Sequence, residues 1–191
     1  MVSIMSTQTQ SLEDEAALAR LAAADANAFA ELYRRNLTRV YRYHMAHTGN
    51  TKDAEDLTSQ TFTAALEGIR TYRGSGTFAA WLMGIAARKR FMYFRGMKHE
   101  VPLEAADEYP NPGLPTDKAA IQRLQTQSIA RALKQLSPER CEAIILIYFG
   151  GLNYDEAGRV MNKNEAAVKM LVSRGLQDLR ERTSLKMEVE E

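Results

Sequence analysis

The sequence is poor in several features that define common protein classes. Its 191 residues include one cysteine and one tryptophan, and 25 lysines and arginines against 24 aspartates and glutamates leave a net charge of +1. The single cysteine, Cys141, cannot form an internal disulfide, which excludes a disulfide-stapled secreted domain. No apolar run approaches the roughly 20 residues that span a bilayer, and the first residues lack a signal-peptide pattern. We therefore expect a cytoplasmic chain with no membrane insertion.

Proline is scarce outside one segment. Four of the five prolines lie in residues 100–118, together with five acidic residues and one lysine. This composition is typical of an extended acidic linker between two domains. The predicted organisation is an N-terminal extension (1–24), a first domain (25–99), the linker (100–118), a second domain (119–183) and an acidic tail (184–191).

The near-neutral total conceals two basic domains. Residues 25–99 carry 12 basic and 6 acidic side chains, and residues 119–183 carry 10 and 7, whereas the linker and both ends are acidic. A local basic excess favours nucleic-acid binding, although a charged helix face is often only a solvated face. The overall charge therefore does not exclude DNA as a partner.

Helical periodicity dominates and no alternating strand pattern is found, so the predicted fold is all-α. Three helices are predicted in the first domain: from Ala26 to about His47, after a cap at Asn50 or Thr51, and from about Phe78 to Arg95. The predicted apolar stripes are Phe29, Tyr33, Leu37, Val40, Tyr41 and Met45 on the first helix and Phe78, Trp81, Leu82, Ile85 and Met92 on the third.

The second domain carries the pattern of a helix-turn-helix. A buried helix from Pro138 to Phe149 precedes a short helix from about Tyr154 to Met161, a turn at Asn162-Lys163 and a long helix after the cap Asn164. In such motifs the second helix enters the DNA major groove with its first residues forward. The positions predicted to be exposed there are Asn164, Glu165, Ala166, Lys169, Met170, Ser173 and Arg174. Glu165 fits a contact to cytosine and equally a favourable position in the helix dipole.

Cations and aromatic residues are interleaved in the third helix, directly after the glycine-rich loop 72–78. The cations are Arg88, Lys89, Arg90, Arg95 and Lys98, and the aromatics are Phe91, Tyr93 and Phe94. Cations neutralise phosphates and aromatic rings stack on bases, so this segment favours single-stranded nucleic-acid binding, although some of these rings are needed for the core.

Two stretches together resemble a known family. Residues 50–96, which include DAEDLTSQTF and RGSGTFAAWL, and residues 132–181, which include LNYDEAGRVMNKNEAAVK, are similar to the two domains of the extracytoplasmic-function group of bacterial RNA polymerase sigma factors. The resemblance implies a dissociable subunit, with no catalysis and no cofactor, that binds the clamp coiled coil and flap of the RNA polymerase core. It also implies that the subunit melts the −10 element and reads the −35 element of promoter DNA, and that an anti-sigma factor holds it inactive.

The resemblance assigns roles to particular residues. It implies a polymerase-core-binding role for Asp53, Asp56 and Gln60, although the helix dipole also explains acids in a first turn. The residues implied or predicted to bind −10 DNA are Tyr72, Arg73, Ser75, Arg88, Lys89, Phe91 and Arg95. The residues implied to bind −35 DNA are the seven exposed helix positions, Asn164, Glu165, Ala166, Lys169, Met170, Ser173 and Arg174.

The chain departs from the family pattern at several positions. Ser59-Gln60 stands where the family usually has Gln-Glu, and Arg88 stands where many relatives have Asn, which predicts an unusual −10 preference. Gly158 stands where Ala is usual, which predicts a loss of about 1 kcal/mol in helix propensity.

Two other functions stay open on the sequence. One is a helix-turn-helix DNA-binding regulator or degenerate sigma factor that does not support initiation, which the departures at Ser59-Gln60 and Arg88 favour. The other is a metal-dependent enzyme or sensor, suggested by His44 and His47 three residues apart on a helix, but no further ligand stands at a metal-like spacing.

Overall fold

Helices make up all the regular secondary structure in the residues that the computed structural model describes, 14–97 and 127–189, with side chains described to residue 182. They are α1 (residues 14–21), α2 (Ala26–Thr48), α3 (Thr51–Gly68), α4 (Phe78–Met97), α5 (residues 127–134), α6 (Pro138–Tyr148), α7 (Tyr154–Met161) and α8 (Glu165–Val189), with a 3-10 turn Ile69–Thr71 between α3 and α4. The all-α prediction is confirmed for this part of the chain. The predicted linker lies outside the described residues, and the domain boundaries stay a prediction.

Asparagine and glycine set the helix ends, largely as the sequence indicates. Asn50 caps α3, since its Oδ1 accepts a hydrogen bond from the Asp53 amide at 3.1 Å. Gly49 ends α2 in the left-handed conformation, with φ +70°. Asn164 caps α8 by accepting from the Ala167 amide at 2.8 Å. Ser137 occupies the predicted cap position of α6 but makes no side-chain cap hydrogen bond there.

The buried face of α2 differs from the predicted stripe. Val40 and Met45 are buried as predicted, but Phe29, Tyr33, Leu37 and Tyr41 line a surface groove against α3. The face that is buried instead carries Leu32, Asn36, Tyr43, His44 and His47. When a helix has two faces that could be buried, tertiary packing decides which of them enters the core. The buried face of α2 carries polar residues, so the apolar periodicity of the sequence did not identify it.

Buried Asn36 shows why that polar face is tolerated. Its Nδ2 donates to the Glu15 carboxylate of α1 at 2.7 Å and to the Leu32 carbonyl at 3.1 Å, and its Oδ1 accepts from Arg39 at 3.0 Å. A buried amide with these partners carries little desolvation penalty. Asn36 therefore attaches α1 to α2.

Only the first part of α4 belongs to the core. Phe78 and Leu82 are buried as predicted, together with Met83 and Ala86. The prediction that Met92 faces inward is wrong, because its side chain is 57% exposed. The fully buried residues of α4 end at Ala86, and the residues that follow are half-buried or exposed.

The two halves of the chain, residues 14–97 and 127–189, pack against each other. Helix α4 contacts α7, and α2 contacts α6, so the buried apolar residues of both halves form one cluster. The Met83 side chain of α4 reaches the loop after α6, where its Cε lies 3.2 Å from the position of a Cβ built on Gly150.

Helices α7 and α8 form the predicted helix-turn-helix. Asn162 adopts the left-handed conformation at φ 54° and ψ 47°, which asparagine tolerates, and the Lys163 amide donates to the Gly158 carbonyl at 2.8 Å. A Cβ built on Gly158 would lie 2.6 Å from the Lys163 carbonyl oxygen. Gly158 therefore has a steric role that its low helix propensity conceals: it permits the tight turn.

We predict that Gly158→Ala lowers the free energy of unfolding by about 1 to 3 kcal/mol, because backbone must move to admit the methyl group. Gly84→Ala is the matched control, since a Cβ on Gly84 of α4 meets nothing within 4 Å. Its gain in helix propensity should raise stability by roughly 0.5–1 kcal/mol. Urea unfolding of both variants measures this, and equal stabilities would contradict the steric role.

Candidate nucleic-acid interface and the contact between the two halves

The loop between α3 and α4 is shaped by glycine and by an aromatic cluster. Gly74 and Gly76 have φ values of +74° and +106°, and the Tyr72 hydroxyl donates to the Gly76 carbonyl at 2.9 Å. The Tyr72 ring packs on Phe78 and Trp81 with centroid distances of 5.7 and 5.6 Å. Partial burial raises the pKa of Tyr72. Tyr72 therefore stiffens the loop as well as presenting an aromatic edge.

The residues predicted to bind −10 DNA fall into two groups. Ser75 and Arg88 line a cleft of about 400 Å³ beside Trp81, and two residues of α7, Arg159 and Val160, close its other side. The remaining predicted residues do not line that cleft: Arg73, Phe91 and Arg95 are exposed, and Tyr72 and Lys89 are half-buried. Phe91, with 57% of its side chain exposed, is free to stack.

The residues predicted to bind polymerase lie on α3. Asp56 and Gln60 are exposed, whereas Asp53 is half-buried and accepts a hydrogen bond from Tyr93 of α4. Burial and the Asp53 carboxylate raise the pKa of Tyr93 to about 12. Because its hydroxyl is bonded to Asp53 of α3, Tyr93 is not one of the aromatic rings available for stacking on bases.

An apolar groove of about 650 Å³ runs between α2 and α3 on the same domain. It is lined by Phe29, Tyr33, Leu37, Phe62 and Leu66, among others. Tyr33 and Phe62 contact each other across it at a centroid distance of 4.6 Å. Tyr33 and Leu66 are 39% and 51% exposed, so the groove is open to a partner.

The seven residues predicted to bind −35 DNA are all exposed on the first turns of α8. Lys169 forms an ion pair with Glu165 at 2.6 Å and lies over the Tyr154 ring at 5.5 Å from its centroid. Glu165 raises the pKa of Lys169 through this contact. The geometry therefore adds a third role for Glu165, which is to orient Lys169. The two roles considered from the sequence were a contact to cytosine and a favourable position in the helix dipole.

A buried polar group that the sequence did not reveal lies between the halves. We call it the Glu142 cluster, and it consists of Glu142 of α6, Tyr43 and His47 of α2, and Arg90 of α4. The Tyr43 hydroxyl donates to Glu142 Oε1 at 2.7 Å. Nη2 of Arg90 forms an ion pair with Oε2 at 3.0 Å, and Nε2 of His47 lies 3.2 Å from the same oxygen, both without hydrogen-bond alignment. Arg90 is therefore engaged by Glu142 and is not among the cations available to bind nucleic acid.

The pKa shifts in and beside this cluster follow from burial and charge. Burial would raise the pKa of Glu142, but His47, Arg90 and Tyr43 outweigh it and hold that pKa below its usual value. Burial lowers the pKa of His47, and it lowers the pKa of His44 to about 3. His44 is therefore neutral at neutral pH, with its Nε2 2.9 Å from the Thr61 hydroxyl.

Among the described residues, no group of three or more histidine, cysteine, aspartate or glutamate side chains is arranged to hold a metal ion. His44 and His47 contact Thr61 and Glu142 instead, and His99 lies outside the described residues. In the part of the chain that the structure describes, no helix is long and apolar enough to cross a bilayer.

The described residues form a helical protein whose second half contains a helix-turn-helix. Sigma-70 region 2 matches residues 32–99, and sigma-70 region 4 matches residues 126–179. The chain belongs to the extracytoplasmic-function group of the sigma-70 family of RNA polymerase sigma factors.

Individual relatives agree with that assignment. The extracytoplasmic-function sigma factor BldN of Streptomyces coelicolor is 34% identical over 164 residues, which cover 84% of this chain and 62% of BldN. Among solved structures, CnrH in complex with the cytosolic domain of CnrY is 21% identical with a TM-score of 0.73, covering 90% of this chain and 98% of CnrH. RpoE of Bartonella quintana, in complex with the anti-sigma factor NepR, is 24% identical with a TM-score of 0.62, covering 80% and 94%. The two solved structures show a shared fold.

We predict that acid destabilises the folded chain through His44. Its pKa is about 3 when folded and near 6.5 when unfolded, so the unfolded chain binds more protons between these values. The free energy of unfolding therefore has its full value above pH 6.5 and decreases as the pH falls, by about 2 kcal/mol at pH 5.

Denaturant unfolding at pH 7.5 and pH 5 measures this loss, with His44→Gln as the control because glutamine keeps a polar group toward Thr61 without titrating. The variant should lose about 2 kcal/mol less than the wild-type chain between the two pH values. Parallel losses in both proteins would show that His44 is not held neutral.

Proposed function

We propose that this chain directs the RNA polymerase core to specific promoters and melts their −10 element, acting by binding and with no catalysis of its own. The observation that carries the proposal is the presence of two complementary surfaces in one chain. One is the glycine-shaped loop with Ser75, Arg88 and exposed Phe91, and the other is the exposed start of α8. A single-strand-binding loop and a major-groove helix are what melting and reading a duplex require.

The proposed division of labour follows the predicted domains. Residues 25–99 bind the polymerase clamp coiled coil through Asp53, Asp56 and Gln60 and capture −10 DNA, while residues 119–183 read −35 DNA and contact the flap. The exposure of Asp56 and Gln60 and the open groove between α2 and α3 support a protein contact on that side of the first domain.

The proposal includes an anti-sigma factor and a cytoplasmic location. The Bartonella quintana RpoE of similar fold is solved with the anti-sigma factor NepR, which supports a regulatory protein of that kind here. The chain spans 62% of the length of BldN. The activity proposed for the chain therefore rests on the chain's own surfaces.

Run-off transcription with purified core polymerase and a library of genomic promoter fragments tests the proposal. Transcripts that depend on added factor are the expected result. If fragments are bound but none is transcribed, the chain is a DNA-binding regulator or degenerate sigma factor instead, and the proposal is wrong.

We predict that Arg174→Ala weakens transcription from a −35-dependent promoter about 5-fold and lowers the salt dependence of holoenzyme binding by about one counterion, because Arg174 is exposed on the DNA-facing start of α8. Arg34→Ala is the control, since it removes another exposed arginine, one that pairs with Glu31 on α2. Equal effects of the two substitutions would exclude a specific role for α8.

A further inference from the structure

Helix α4 contains an interior glycine that packing does not explain. Gly84 lies well inside the helix, where glycine is less favourable than alanine. A Cβ built on Gly84 would meet nothing within 4 Å, whereas a Cβ built on Gly175 of α8 would lie 2.7 Å from Ile144 Cδ1. Gly175 is therefore required by its neighbours and Gly84 is not. A helical glycine of the second kind leaves room for a ligand to approach the backbone closely.

The space beside Gly84 belongs to the cleft of about 400 Å³ described above, a volume within the range of roughly 300–1,000 Å³ that is usual for ligand pockets. Four residues of α4 line the cleft at spacings of three and four, so they share one face of the helix: Trp81, Gly84, Ile85 and Arg88. The Trp81 ring is held by Tyr72 and Phe78, at centroid distances of 5.6 and 5.5 Å. The cleft thus has an open floor at Gly84 and a fixed aromatic wall, which suits a planar base.

The polar side chains of the cleft mainly donate hydrogen bonds. The described residues that line it include no carboxylate and no side-chain amide. The Thr77 hydroxyl already donates to Glu156, and Arg159 already pairs with Asp155 at 2.8 Å. Arg88 is exposed, and no ion pair within the described part of the chain engages its guanidinium. Arg88 is therefore the cation of this cleft that is available to a ligand.

This set of groups distinguishes between the four bases. Guanine presents two adjacent acceptors, O6 and N7, which match the paired N–H groups of an arginine. Adenine and cytosine present an amino group, whose usual partners are the amides and carboxylates that the lining residues do not supply. Thymine presents O4 alone on the corresponding edge. Guanine is therefore the base that the cleft fits best.

Resting on the sigma-factor function proposed above, we propose that this face of α4 is a guanine-selective pocket for −10 DNA. Gly84 provides the space for the base, and Trp81 and Ile85 form its apolar wall. Arg88, one turn after Gly84, binds guanine O6 and N7. Arg95 lies two turns further along the helix and does not line the cleft, so its role is to bind phosphate.

A change of base preference tests the role of Arg88. Core polymerase is mixed with the wild-type chain, Arg88→Gln or Arg95→Gln, with core polymerase alone as the blank. Fluorescence anisotropy then measures affinity for thymidine strands of about 20 nucleotides that carry one central guanine, adenine or cytosine.

We expect the wild-type chain to bind the guanine strand about 10-fold more tightly than the other two strands. Arg88→Gln should prefer adenine, because glutamine pairs with adenine N6 and N7. Arg95→Gln should weaken binding to all strands alike, since a phosphate contact carries no sequence information. A wild-type chain without a guanine preference, or an equal guanine preference in Arg88→Gln, would overturn the proposal.

Two glycine substitutions on the same helix test the space for the base. A Cβ on Gly84 or on Gly96 meets nothing within 4 Å, but only Gly84 lines the cleft. Gly84→Ala should lower affinity for the guanine strand about 5-fold, because its methyl group occupies the floor of the pocket, and Gly96→Ala should leave affinity unchanged. Urea unfolding checks that both variants are folded. Equal affinities of the two variants would contradict close approach of a base to Gly84.

Run-off transcription separates this proposal from the sigma-factor function. In a promoter that the chain transcribes, replacing one guanine of the −10 element with adenine should lower transcription about 10-fold, and Arg88→Gln should reverse that preference. Transcription that depends on no guanine would overturn the guanine pocket and leave the sigma-factor function standing. A guanine preference in strand binding without a transcript from any fragment would count against that function and leave the pocket standing.

Discussion

The carboxylate of Glu142 is the contact on which the arrangement of the two halves depends. It lies in the otherwise apolar run CEAIILIYF, is 8% exposed, and contacts Tyr43 of α2 and Arg90 of α4. Removing one partner of a buried ion pair costs about 3–5 kcal/mol, because the other charge is left without compensation. This contact therefore makes separation of the two halves costly.

The positions of the functional surfaces follow from that contact. With α6 held against α2 and α4, α7 lies on the start of α4, and Thr77 and Glu156 join their helix caps. The start of α8 then faces solvent with its seven predicted DNA-binding residues exposed. The cleft that contains Ser75 and Arg88 is lined on its other side by Arg159 of α7.

The sequence predicted the helices well because their ends carry local signals. Asn50, Asn164 and Gly49 act through side-chain caps or a left-handed backbone, and these depend on neighbours within a few residues. The helix-turn-helix was predictable for the same reason.

Tertiary choices were not predictable from periodicity. The sequence predicted no role for the acid in the run CEAIILIYF and suggested His47 only as a candidate metal ligand, yet Glu142 and His47 meet in the interior. The buried face of α2 carries Asn36 and Tyr43, so the more uniformly apolar stripe with Tyr33 was chosen for the core and instead lines a groove. The single acid within the apolar run CEAIILIYF was the one available signal of a buried partner.

A double-mutant cycle between Tyr43 and Glu142 tests the central claim most directly. Tyr43→Phe removes only the hydroxyl that donates to Glu142, and Glu142→Gln removes the charge that receives it. If the two halves are joined through this contact, unfolding of the single and double variants should show a coupling of about 1–3 kcal/mol. Stabilities that add to within about 0.5 kcal/mol would contradict the account, because independent residues in separate halves behave in that way.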